Sequence, residues 1–129
     1  MDSFQHVNNI VYLRYFERAH IAYFERLKLM EFMNQTGIGP ILGSVQCKFK
    51  IPLTYPDTVS VGTRISKVEH DRFVMEFWIV SHKHQKIAAE GEGVIVSFNY
   101  QESKKAPLPE EIKRRIAALE ASIAKQPGN

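Results

Sequence analysis

The sequence holds a single cysteine, Cys47, and a single tryptophan in 129 residues. One thiol excludes an internal disulfide and a cysteine-built zinc site. Inside an apolar-polar alternation it reads as a small strand or core residue. No run approaches the roughly 18 apolar residues that a membrane helix needs. The N-terminus is neither basic nor followed by an apolar stretch, so no secretory leader is expected. Together these absences point to a reducing, cytoplasmic setting. Charge of one sign is also scarce: 17 Lys and Arg against 14 Asp and Glu leave a formal +3. That excess, dispersed along the chain, is too small for a nucleic-acid surface. It suits an anionic small molecule without selecting one. Internal repeats, low-complexity tracts and linkers are missing, and the length fits one domain over residues 1–129.

What is present begins with a long periodic segment from Asn9 to Lys28. It carries Ile10, Val11, Tyr12, Leu13, Tyr15, Phe16, Ala19, Ile21, Ala22, Tyr23, Phe24 and Leu27. Arg14, Glu17, Arg18, Glu25 and Lys28 make only a narrow polar stripe. A surface helix needs an apolar arc of about 100°, so this wider one predicts a central, buried helix. Asn8 or Asn9 serves as its N-cap, a short amide accepting from the first unpaired amides. Leu29–Thr36 either continues the helix or forms a loop, and Gly37, Gly39 and Pro40 end it.

From Ile41 to about Phe98 the pattern is that of strands. Ile41–Phe49 is the first, and Pro52, Tyr55, Pro56 and Asp57 mark a turn. Val59, Val61, Thr63 and Ile65 alternate with polar or small residues at a period of two. His70-Asp71-Arg72 and His82–Gln85 are connections on either side of Phe73–Ser81. Lys86–Phe98 is long, and its Gly91 and Gly93 signal a bend, a bulge or a close backbone approach. Short connections between neighbouring strands favour an antiparallel meander. A polar loop then runs to Ala106. A C-terminal helix over about residues 107–124 follows, with Ile112, Ile116, Leu119 and Ile123 on one face and acidic residues in its first turn. One apolar helix followed by a continuous antiparallel sheet is an α+β pattern.

The chemistry concentrates at the start: Asp2-Ser3-Phe4-Gln5-His6-Val7-Asn8-Asn9, then Tyr12-Leu13 and Tyr15-Phe16-Glu17. A carboxylate lies just before a helix N-terminus, where unpaired amides and the positive dipole end favour a developing oxyanion. A carboxylate placed there can attack a carbonyl or take a proton from water. This string resembles the signature of the 4-hydroxybenzoyl-CoA thioesterase-like family of hotdog-fold acyl-CoA thioesterases. The resemblance extends over about residues 2–110, through Ile51–Val61, Gly91–Ser97 and Pro107-Leu108-Pro109.

The resemblance implies an antiparallel sheet wrapped around a long central helix, and a homodimer, or a tetramer built from two, with acyl-CoA held between subunits. It implies Asp2 as the catalytic residue, acting as nucleophile or as general base, and His6, Asn8, Asn9 and Tyr12 as substrate-binding residues. It implies no metal and no cofactor beyond the coenzyme A of the substrate. Two positions depart from the family pattern. Gln5 replaces the usual Gly, and only Met1 precedes the aspartate where the family has its first strand, so that strand is expected to be missing. An alternative expectation is a non-catalytic hotdog module that binds acyl-CoA or a protein partner. A hydratase ranks last, because its Asp/His arrangement is not found.

The same residues carry plainer readings. Asn8 and Asn9 are helix caps before they are pocket residues, and His6 is as readily part of a capping network as of a site. Tyr12, Tyr15 and Phe16 suit the core. Arg14, Glu17 and Arg18 form a solvated or interface stripe with helical pairing. His82 and His84 share one strand face but lack the carboxylate or cysteine company of a zinc site.

Overall fold

The computed structural model describes residues 9–54 and 56–124. Helix α1 spans Asn9–Leu27. It stops at Lys28, a non-glycine residue in the left-handed region with φ 56°, and the strain is met locally. The Lys28 amide donates to Glu25 O at 3.1 Å, and the Arg115 guanidinium donates to Leu27 O at 3.0 Å, so two of the last carbonyls of the helix find partners. The segment after it is a separate helix, α2, Leu29–Thr36. Gly37 closes α2 at φ 77°, its amide donating to Met33 O at 2.7 Å. Only glycine adopts that conformation cheaply.

Five antiparallel strands follow: β1 Ile38–Phe49, β2 Val59–Val68, β3 Arg72–Ser81, β4 Lys86–Asn99 and β5 Lys104–Lys105. The sheet order is β1-β4-β3-β2, with β5 paired to the end of β4. The expected meander therefore holds for β2, β3 and β4 but not for β1, which pairs with β4 at the opposite edge from β2. The crossing has visible anchors. The amides of Lys50 and Ile51 both donate to Ala88 O, at 2.8 and 3.0 Å. Beyond them Leu53 is buried, and its amide donates to the Tyr12 hydroxyl at 2.9 Å. The polar loop expected before Ala106 contains the two-residue strand β5. Among the described residues nothing pairs with the outer edge of β1 or of β2.

Helix α3, Glu110–Ala124, starts after Pro107-Leu108-Pro109 and buries Ile112 and Ile116. It is tied to α1 by the Tyr23 hydroxyl, which donates to Glu120. The other Glu120 contact is the Ile65 amide of β2, at 3.2 Å.

The core lies between α1 and the inner sheet face. Alternation on β3 sends Phe73, Met75, Phe77 and Ile79 inward. Phe16 stacks on Phe77 at 4.9 Å, and Phe24 meets Phe73 edge-on at 6.2 Å. Burying each such side chain contributes roughly 1.5–3 kcal/mol. At Gly91 the reason for glycine is close approach: a Cβ there would lie 2.3 Å from Gln46 O and 3.1 Å from the Phe16 ring. The sheet covers one side of α1, burying Tyr12, Phe16, Tyr23 and Leu27. On the other side Leu13 stays 40% and Ile21 45% exposed. The wide apolar face of this helix therefore has more surface than its own sheet covers.

Candidate active site

The predicted catalytic Asp2 and the predicted binding residues His6 and Asn8 lie outside the described residues. Asn9 opens α1. Its backbone therefore belongs to the first turn, whose amides have no partner within the helix. Tyr12, one turn in, is 2% exposed. Its hydroxyl accepts from Leu53, and its ring meets Phe49 edge-on at 5.0 Å. Burial raises its pKa, and the Leu53 amide partly offsets that rise. The hydroxyl keeps its own proton to donate. Tyr12 thus joins the first turn of α1 to the crossing segment between β1 and β2.

Beside this turn the helix and β1 diverge. Pairing in register puts Phe49, Val45 and Leu42 opposite Ala89, Gly93 and Ile95 of β4, on the same face as Met75 and Phe77. Here β1 turns an apolar face toward α1 without closing on it: Leu42 is 47%, Val45 41% and Phe49 46% exposed. Between the two elements lies a cavity of about 440 Å³, lined by Leu13, Phe16, Glu17, His20, Leu42, Val45 and Phe77. Farther along α1 a second hollow of about 1030 Å³ reaches Ile21, Phe24, Met30, Pro40 and Tyr100. Phe24 in the wall of this hollow stacks on His20 in the wall of the first, so the two follow one another along the helix.

His20 is the residue that the sequence alone did not single out. Its ring stacks on Phe24 at 5.3 Å and tilts against Phe77 at 6.3 Å. Desolvation lowers its pKa, against the opposing charge of Glu17, so the imidazole is neutral at pH 7. The available signal was its position three residues after Glu17, which places both on one helix face.

Another hollow, about 430 Å³, lies on the outer sheet face around Arg64, Glu76, Trp78, Glu90 and Glu92. Strand alternation sets it on the opposite face from α1, away from the helix start. Among the described residues no group of three or more His, Cys, Asp or Glu could hold a metal ion. No helix there is long and apolar enough to cross a membrane.

An antiparallel sheet packed on one long helix, with an open groove that begins one turn into that helix, is the hotdog fold. The sequence agrees: the chain belongs to the Thioesterase-like superfamily, whose family model matches residues 1–116. It is 32% identical to a thioesterase from Thermus thermophilus, solved with coenzyme A and Zn, with a TM-score of 0.79. That likeness covers 94% of this chain and 86% of the Thermus chain. The fold is also that of the 1,4-dihydroxy-2-naphthoyl-CoA thioesterase Slr0204 from Synechocystis, at 20% identity and TM-score 0.78, over 93% and 89% of the two chains. A DHNA-CoA thioesterase from Staphylococcus aureus matches at 22% identity and TM-score 0.77, over 95% and 86%. No curated protein matches the sequence.

Proposed function

We propose that this protein hydrolyses acyl-CoA thioesters to free acid and coenzyme A, with Asp2 as the catalytic carboxylate. The observation that carries the reading is the groove between α1 and β1, which begins one turn from the helix start that Asp2 precedes in sequence. The thioester carbonyl accepts from the amide at Asn9, where the helix dipole favours the negative charge that develops on oxygen. His6 and Asn8 orient the substrate around it, while Tyr12, buried against Leu53 and Phe49, braces the turn that carries this amide. Asp2 then acts in one of two ways. It attacks the carbonyl carbon, expelling the thiolate of coenzyme A and forming an anhydride that water cleaves. Otherwise it takes a proton from the water that attacks directly. Coenzyme A enters as part of the substrate, and the reading requires no separate cofactor. The cytoplasm, where Cys47 stays reduced, is the proposed setting.

A homodimer completes the site in this reading. Supporting it, β1 is an open edge of 12 residues, and its exposed Leu42 and Val45 line the same cavity as the exposed Leu13 of α1. A second copy pairing along that edge extends the sheet and roofs the groove. A tetramer would join two such dimers.

The test is a panel of acyl-CoAs with the wild-type protein and Asp2→Asn. Loss of at least about 100-fold in kcat with Asp2→Asn supports the assignment, and equal rates reject it. One turnover in heavy-oxygen water tests for the first role: label in Asp2 establishes the anhydride, opened by water at the Asp2 carboxyl carbon, whereas the general-base route puts label in the product acid alone. Light scattering on Val45→Lys reads the assembly: the variant should be monomeric and inactive together.

A further inference from the structure

Two polar side chains stand in the otherwise apolar wall of the smaller cavity, and the proposed hydrolysis uses neither. Glu17 and His20 lie one turn apart on α1, facing the same space as Leu13, Leu42, Val45 and Phe77. Stacking on Phe24 and the contact with Phe77 fix the plane of the imidazole. Among the described residues no hydrogen bond or ion pair engages either side chain.

We propose that Glu17 and His20 are specificity-determining residues that hold the far end of the acyl group. They select a medium-length acyl chain carrying a terminal hydroxyl over a plain alkyl chain and over one ending in a carboxylate. The inference rests on the thioesterase reading for the place of the thioester, at the start of α1.

The distances set the length. At a rise of about 1.5 Å per residue, Glu17 lies about 12 Å and His20 about 16 Å from Asn9 along the helix axis. Helical side chains lean back toward the N-terminus, which shortens both. An extended chain advances roughly 1.2 Å per bond, so about eight carbons bring a terminal group between them. The chemistry sets the tip. A carboxylate only accepts hydrogen bonds, and a neutral imidazole both donates and accepts. A hydroxyl donating to Glu17 and accepting from the His20 ring satisfies all three. A methyl tip would desolvate both groups and repay neither. A carboxylate tip would meet the charge of Glu17.

The experiment compares octanoyl-CoA, its ω-hydroxylated form and its ω-carboxylated form on the full chain. The wild type should favour the hydroxylated substrate by about tenfold or more in kcat/KM, the worth of one net hydrogen bond. His20→Phe, which keeps the stacked ring, should bring the hydroxyl-to-alkyl ratio to about one. Glu17→Gln should raise turnover of the carboxylated substrate relative to the plain one. A wild-type ratio near one, or a ratio that His20→Phe leaves unchanged, overturns the proposal. Calorimetry with the matching thioethers, octyl-CoA and ω-hydroxyoctyl-CoA, separates this question from hydrolysis. Tenfold tighter binding of the hydroxylated thioether, with none of the three thioesters hydrolysed, upholds the selector while the hydrolase reading fails. Equal affinities, or no binding of either, overturn the selector.

Discussion

The Leu53 amide, in the segment that carries the chain from one sheet edge to the other, donates its hydrogen to the Tyr12 hydroxyl of α1 at 2.9 Å. Leu53 is 1% and Tyr12 2% exposed, so water cannot take the place of either partner. Tyr12→Phe should therefore destabilise the protein by about 1–3 kcal/mol, the cost of a buried amide left without an acceptor. Denaturant titration should show a lower midpoint with an unchanged slope. A variant as stable as the wild type would remove this bond from the account of how the first turn of α1 is held.

Glu120 joins three elements. The Tyr23 hydroxyl donates to it, and so does the Ile65 amide. Tyr23→Phe removes one donor, whereas Glu120→Ala strands two, so the second change should cost more. The double variant should fall short of the sum, because the sites share a contact. Burial, with Glu120 adding to it, raises the Tyr23 pKa. The native state then keeps a proton that the unfolded chain releases, and stability should decline as pH rises above about 10. Tyr23→Phe should flatten that alkaline limb in melts measured across pH.

Glu76 and Glu92 sit directly opposite each other on the outer face of β3 and β4. Arg64 reaches Glu76 at 2.6 Å. Like charges so placed repel. Glu92→Lys should raise stability by about 0.2–1 kcal/mol. The gain should shrink as salt screens the pair, so thermal melts at low and high ionic strength check both points.

A methyl group at Gly91 would fall 2.3 Å from Gln46 O, a backbone atom, and press on Phe16. Gly91→Ala should cost about 1–3 kcal/mol by overpacking. Relief by Phe16→Leu in the same chain would locate the strain, and a neutral Gly91→Ala would refute the close approach.

Residue pattern was enough to specify most of the local elements. The aromatic run after Asn9 specified α1, because a helix that apolar must be covered. Alternation from Val59 to Ile65 specified β2, because successive strand side chains take opposite faces. The Asp2 frame that marks the family was legible in the same way, as a string of residues. Where pattern was weak, choices stayed open: Leu29–Thr36 is a separate helix, divided from α1 at the left-handed Lys28, where Arg115, remote in sequence, takes the carbonyl of Leu27. Packing in three dimensions settled that β1 lies against β4 rather than β2. Strand alternation fixes which face is buried but not which neighbour supplies the ladder. Packing likewise placed His20 in a cavity wall, since a helical histidine's surroundings depend on strands distant in the chain. The groove exists because α1 packs toward one side of the sheet and leaves β1 uncovered, a relation between elements that no local residue pattern encodes.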